Sequence, residues 1–219
     1  MAKVRQISAA AAADLVKDGM SVMVGGFMTC GTPEDLVDAI VNKGVKDLTI
    51  ICNDAGYPDK GVGKLIANGQ VKTVIASHVG LNPECGRLYS AGELGLILVP
   101  QGTLAERIRC AGAGLGGFLT PTGVGTSVAE GKDIITVDGV EFLLEKPLKA
   151  DVALLSGNLV DRAGNIKYRG VTRNFNPIMA TAAQTVIVQA DSIAQPGAIG
   201  PEHVETPGIF IDYIVGGGK

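Results

Sequence analysis

The sequence predicts an α/β protein: a doubly wound, mostly parallel sheet flanked by helices, with an inserted β-hairpin near residues 134–144. Three observations carry this. Short apolar runs alternate with helix-period segments through residue 112, the grammar of βαβ units. Leu48-Thr-Ile-Ile-Cys52 is almost continuously apolar, as expected of a strand covered on both faces. Asp138-Gly139 separates two strand-like runs, and that dipeptide favours the type I′ turn of a hairpin. Hydrophobic residues make up 46% of the 219 residues and charged residues 19%, enough apolar mass for one domain over residues 1–219. Glycine reaches 31 residues, twice its usual share of about 7%. The glycines gather at the ends of apolar runs, where tight strand-to-helix turns need them.

Taken in order, Ser8 to Lys17 reads as an amphipathic opening helix, and Met20–Val24 as a strand ending in Gly25-Gly26. Thr32 is the expected N-cap of the next helix, Pro33 suits its first position, and Glu34 and Asp35 favour its positive end. Leu36, Val37, Ile40 and Val41 then form one apolar stripe, and Gly44 closes the helix. A helix over Gly63–Ala67, a strand over Thr73–Ala76, a short segment near Glu84–Ser90 and a buried strand over Leu94–Val99 follow. Thr103-Leu-Ala-Glu106 has the spacing of a capping box at the start of another helix. After the hairpin, Val152–Leu155 resumes a buried strand and Asp161–Asn165 is a turn. Asn176-Pro177 caps a helix to about Ala183, and Val186–Val188 and Ile209–Val215 are the last strands.

Composition removes several function classes. The net charge is −3, no basic block occurs, Trp is absent and aromatics are 4%, so nucleic acid is not an expected partner. No apolar run approaches the ~18 residues of a membrane span. The N-terminus is too charged for a signal peptide, so a cytoplasmic protein is expected. Cys30, Cys52, Cys85 and Cys110 form no CxxC pair and read as free thiols in a reducing compartment. With two histidines they offer no metal-ligand spacing, so no metal is expected.

The stretch that organises the chain is Val22-Met-Val-Gly25-Gly26-Phe27-Met28-Thr29-Cys30-Gly31-Thr32-Pro33-Glu34. The end of a strand opening onto a helix is where open α/β sheets place ligands. A phosphate loop would put a Lys on the following helix, whereas this helix opens with two carboxylates. The loop therefore suits a neutral or acyl part of a ligand, or is a tight turn with no ligand. Gly112-Ala-Gly-Leu-Gly-Gly117 matches the dinucleotide pattern, but a helical segment precedes it and Leu119-Thr-Pro121 follows, so that reading fails. Gln101, at a strand's carboxyl end, either stabilises a developing oxyanion or faces solvent. Arg107 and Arg109 face different sides of their helix. Ser77-His78 lacks a nucleophile elbow, and nothing nominates a covalent catalyst.

Asp18-Gly19-Met-Ser-Val-Met-Val-Gly25-Gly26-Phe27-Met-Thr-Cys-Gly31-Thr-Pro33 resembles the signature of family I coenzyme A transferases, in their α subunit. Leu98-Val-Pro100-Gln101-Gly102-Thr-Leu-Ala-Glu106-Arg107-Ile-Arg109, Gly114–Gly125, and Ala163-Gly164-Asn165 with Arg173-Asn174-Phe175-Asn176-Pro177 are similar to further family segments in the same order. The pattern is nearest to bacterial acetate, acetoacetate and butyrate-type transferases and their 3-oxoacid relatives. The resemblance implies CoA exchange between a short-chain acyl-CoA and a free carboxylic acid, with the CoA thioester as substrate and no permanently bound cofactor. It implies a glutamate nucleophile in a Ser-Glu-Asn-Gly motif on a β subunit, a motif this chain lacks, and hence an α2β2 assembly. It assigns CoA binding to Gly25, Gly26, Phe27, Met28, Thr29, Cys30 and Gly31, and substrate positioning at the reacting carbonyl to Gln101. Positions 28–30 depart from the smaller residues of many relatives, which leaves the acyl pocket size open.

Overall fold

The computed structural model describes residues 4–216. In chain order the elements are β1 (Arg5–Gln6), α1 (Ala9–Ala13), β2 (Ser21–Val24), α2 (Glu34–Lys43), β3 (Leu48–Cys52), α3 (Gly63–Ala67), β4 (Val71–Ala76), α4 (Pro83–Ser90) and β5 (Gly95–Leu98). Then come α5 (Gln101–Gly112), β6 (Phe118–Thr120), β7 (Ile134–Val137), β8 (Val140–Glu145), β9 (Ala150–Asp161), β10 (Ile166–Lys167), α6 (Asn176–Met179), β11 (Ala183–Ala194) and β12 (Tyr213–Gly216).

The main sheet runs β1-β12-β11-β9-β2-β3-β4-β5, with β10 added to β9. Every pair along that path is parallel, and only β10 is antiparallel. Side chains alternate between two apolar layers, as strand geometry requires. Val22, Val24, Leu48 and Ile50 pack with Ala12, Leu36, Ile40, Leu65 and Cys85 of α1 to α4. Met23 and Ile51 pack on the other side with Leu104, Ile108 and Met179 of α5 and α6. The expected doubly wound α/β sheet is therefore present. From β2 the chain moves outward through β3, β4 and β5, then restarts on the opposite side of β2 with β9, β11 and β12. The carboxyl ends of β2 and β9 thus flank the topological switch point, the crevice where such sheets bind ligands.

The hairpin is present, with Asp138 at φ 51° and Gly139 at φ 78°, both in the left-handed region that a type I′ turn requires. It carries a third strand, β6, making a small antiparallel sheet β6-β8-β7. Glu145, buried at the end of β8, pairs within the insertion with Lys132 at 2.5 Å and reaches the body through Arg107 Nε of α5 at 3.8 Å. Arg107 of α5 donates to the Lys146 carbonyl at 2.9 Å, while Arg109 pairs with Glu106 at the surface.

Several expected element ends move, each for a local reason. The opening helix is only Ala9–Ala13, capped by Ser8. Thr32 does not cap α2; Pro33 occupies the cap position without a side-chain bond. Gln189 of β11 supplies the cap instead, its Oε1 accepting from the N–H groups of Asp35 and Leu36 at 2.9 and 3.2 Å. Thr103 lies inside α5, which starts two residues earlier at Gln101, and Asn176 is the first residue of α6 rather than its cap. The expected strand over Ile209–Val215 is a 3₁₀ turn at Gly208–Phe210 followed by β12. The run around Leu94–Val99, expected to be buried, forms the edge strand β5, with Ile97 and Leu98 49% and 55% exposed. Hydropathy registers that a run is apolar but not whether another strand covers it.

Candidate functional site

β2 is a strand because Val22, Met23 and Val24 are apolar in succession and covered on both faces. It stops at Gly25, and the chain then folds into a two-residue turn. Phe27 and Cys30 exchange both backbone hydrogen bonds, at 3.0 and 2.9 Å. Met28 and Thr29 between them hold φ of 48° and 64°. Type I′ turns normally recruit Asn or Gly at these positions; a β-branched Thr there is strained, by about 1–3 kcal/mol. The surroundings over-determine the turn. Asp54 Oδ2 accepts from the Met28 N–H at 2.8 Å, and Asn174 bonds both Gly26 and Cys30.

The glycines of this loop serve packing on the protein itself. A Cβ on Gly25 would lie 1.9 Å from Asn176 Oδ1, and one on Gly31 would lie 2.6 Å from the Thr172 carbonyl. Gly25 and Gly26 are buried, Thr29 is half-buried, and Phe27, Met28 and Cys30 face outward. The loop therefore presents an apolar tip with one thiol.

A second two-residue turn, Tyr57–Lys60, follows β3. Glu34 joins the two loops: its carboxylate accepts from the Gly61 N–H at 2.9 Å and pairs with Lys64 at 2.7 Å. With Gln189 already on its free N–H groups and Glu34 at its first turn, the start of α2 has no place for a phosphate, in agreement with the sequence reading. The crevice between the loops, lined by Gly25, Gly26, Thr29, Cys52 and Asp54, has a volume of about 10 Å³. That is room for about one water, against the ~300–1,000 Å³ of an ordinary ligand pocket. On this chain the loops form an exposed wall rather than an enclosing pocket.

Chemistry at this wall is sparse. Burial pushes the Cys52 thiol well above its ordinary pKa, and the Asp54 charge and Cys85 add to the effect, so Cys52 remains protonated. Ser77 Oγ donates to the Asn53 carbonyl at 2.8 Å, so it is not oriented by His78. Among the described residues no group of three or more His, Cys, Asp or Glu side chains could hold a metal.

Asn53 is the residue that sequence reasoning missed. It follows β3 directly, and the Val24–Cys52 register sets it beside Gly25. It is 1% exposed, yet both polar atoms of its amide lack a hydrogen-bond partner among the described residues. Leaving such a group unsatisfied costs about 1–3 kcal/mol, so it calls for a partner: an ordered water, an ion or a ligand. Its sequence signal was an amide placed at the end of an apolar strand, indistinguishable there from a polar loop residue.

Gln101 opens α5 at the carboxyl end of β5 and is exposed. It shares the carboxyl edge of the sheet with the Gly25–Gly31 loop but lies three strands from β2, about 14 Å at ~4.8 Å per strand. Asn53 lies between them. The dinucleotide-like run Gly112–Gly117 follows helix α5 rather than a strand, as its flanks indicated.

The pattern of the family described as "Coenzyme A transferase" matches residues 5–217. The chain is 55% identical over 199 residues to the acetate CoA-transferase subunit alpha of Escherichia coli K12, covering 91% of this chain and 90% of that one. It is equally identical, over 91% of each chain, to the acetoacetyl-CoA:acetate/butyrate CoA transferase alpha subunit of Clostridium acetobutylicum. Its fold is similar to that of an acyl-CoA transferase (YdiF) of Escherichia coli O157:H7, solved as a thioester complex with CoA. The TM-score is 0.86 at 22% identity over 97% of this chain, which spans about half (49%) of that longer chain. With the switch-point loop, the family segments in order and a full-length match together, the chain belongs to the coenzyme A transferase family.

Proposed function

We propose that this chain is the α subunit of an enzyme that moves CoA between a short-chain acyl-CoA and a free carboxylic acid, working as an α2β2 assembly in the cytoplasm. The observation that carries this reading is a ligand wall at the switch point that is chemically incomplete. It has a strained apolar loop with one exposed thiol, a buried amide with no partner among the described residues, and no Ser-Glu-Asn-Gly motif to supply the glutamate that the family pattern requires. The α-subunit names of the relatives support the division of labour, as does the double length of the solved acyl-CoA transferase. The free thiols, with Cys30 exposed, suit a reducing compartment.

In this reading a glutamate of the β subunit attacks the thioester carbonyl and expels CoA thiolate, giving a mixed anhydride. The thiolate attacks the glutamyl carbonyl of that anhydride, releasing the first acid and leaving a glutamyl-CoA thioester. The incoming carboxylate then reverses the two steps. Covalent catalysis divides one difficult exchange into easier ones. The α chain binds the CoA thioester along Gly25–Gly31, and the Gln101 and Asn53 amides donate to oxygens that gain charge.

The purified chain alone is expected to show no exchange between acyl-CoA and carboxylate, and addition of the β subunit to restore it. With acyl-CoA and no acceptor, intact mass is expected to place the CoA adduct on the β subunit. Robust exchange by this chain alone, or an adduct on it, would overturn the proposal. Gln101→Ala is expected to lower kcat by about 10²-fold while the subunits still co-purify; unchanged turnover would return Gln101 to the role of a solvent-facing side chain.

A further inference from the structure

The strained turn at the tip of the glycine loop is held from outside by two side chains: Asp54 accepts from the Met28 N–H within the turn, and Asn174 spans its two ends. Asn174 Oδ1 accepts from the Gly26 N–H at 3.1 Å, and Asn174 Nδ2 donates to the Cys30 carbonyl at 2.9 Å. These two groups flank the Phe27–Cys30 turn on its entering and leaving sides. One is a donor and the other an acceptor, and an amide is the short side chain that serves both at once.

The segment bearing Asn174 is itself rooted in the sheet. Thr172 Oγ1 donates to Asn158 Oδ1 at 2.6 Å, and Asn158 Nδ2 donates to Asp191 Oδ2 at 2.7 Å, linking the segment to β9 and β11. Asn176, fully buried, donates to the carbonyls of Gly31 and Thr172 at 3.0 and 2.8 Å and accepts from the Ser156 N–H at 3.0 Å. The loop base is thus fixed by Asn176, its tip by Asp54, and the two ends of the turn by Asn174. Met28 and Thr29 oppose that arrangement, since neither residue type favours a positive φ.

We propose that Asn174 is a positioning residue: it locks the Phe27–Cys30 turn in the strained shape against which acyl-CoA binds. The proposal rests on the reading that this loop meets acyl-CoA. Without the clamp, the turn relaxes toward ordinary backbone angles. Apparent affinity then falls in proportion to the fraction of chains still holding the competent shape. The effect falls on binding, not on the chemical step.

The test uses the reconstituted complex with acetyl-CoA and a short-chain carboxylate as probes. In Asn174→Ala, which removes both loop hydrogen bonds, exchange of the Phe27 and Cys30 amide hydrogens is expected to rise about tenfold, and KM for the acyl-CoA to rise about tenfold. kcat should change by less than about threefold. Asn174→Asp, which keeps the acceptor toward Gly26 and loses the donor toward Cys30, covers the case in which the alanine variant fails to fold. Adding Thr29→Gly, which removes strain at φ 64°, is expected to recover most of the lost amide protection; damage to the 170–176 segment alone would not be recovered in this way. If the two amides stay protected, the clamp is overturned even with the loop at the acyl-CoA. If they open and KM does not rise, the positioning role falls together with the reading of the loop as a CoA site.

Discussion

Gly25→Ala is expected to leave little folded protein. The new methyl carbon would sit 1.9 Å from Asn176 Oδ1 and 2.7 Å from its Cγ. Asn176 cannot swing aside, because it is fully buried and its amide is committed to Gly31, Thr172 and Ser156. Overpacking costs about 1–3 kcal/mol, and breaking that hydrogen-bonded set adds about 1–3 kcal/mol more. Their sum is a large part of the roughly 5–15 kcal/mol that holds a domain together. Denaturant unfolding of the soluble fraction measures it, with Gly86→Ala as comparison. Gly86 lies in α4 at negative φ with open space around its Cβ, so that change should raise stability by about 0.5–1 kcal/mol. A Gly25→Ala protein as stable as the parent would mean that β2 and α6 are not packed as described.

Asn53→Leu is expected to separate stability from activity. The side chain is 1% exposed and its amide atoms have no partner among the described residues. An apolar residue of similar shape therefore removes an unmet desolvation cost. The isolated chain should become more stable, by about 1 kcal/mol. If the amide serves the reacting oxygen, as proposed, turnover of the reconstituted enzyme should fall by about 10²-fold. Stability that falls while turnover holds would mark Asn53 as a structural residue whose partner is solvent. Polar groups kept unsatisfied at the expense of stability are expected where a site awaits its ligand.

The ease with which elements were found in the sequence follows how local their causes are. The α2 stripe of Leu36, Val37 and Ile40 is buried, and the Gly44 stop has φ 74°; the Asp138-Gly139 turn has the geometry its dipeptide favours. Helix α3 spans the expected Gly63–Ala67. These depend on side-chain period and on backbone angles that glycine permits, which are properties of a few neighbouring residues. The helix starts were misplaced where a distant residue supplies the cap, as Gln189 does for Asp35 and Leu36. β5 was misplaced in depth because strand order decides what is an edge. Spacing alone leaves the glycine loop either against a ligand or as a tight turn with none. The structure shows the Cβ positions of Gly25 and Gly31 filled by Asn176 and by the Thr172 backbone, residues more than 140 positions away in sequence.

By itself, then, the sequence determined the α/β class, the hairpin, the family membership and the place of the glycine loop at a strand's carboxyl end. Each of these is written in short-range periodicity, turn chemistry or an ordered set of motifs. Only the tertiary structure decided that β2 and β9 meet at the switch point and that Asn53 is buried with no partner among the described residues. It also decided that Asn174 and Asn176 grip the loop, and that the crevice beside it is too small to enclose a ligand. Those facts depend on which strands pair and which distant side chains meet, and a parallel sheet makes such pairings across long stretches of chain.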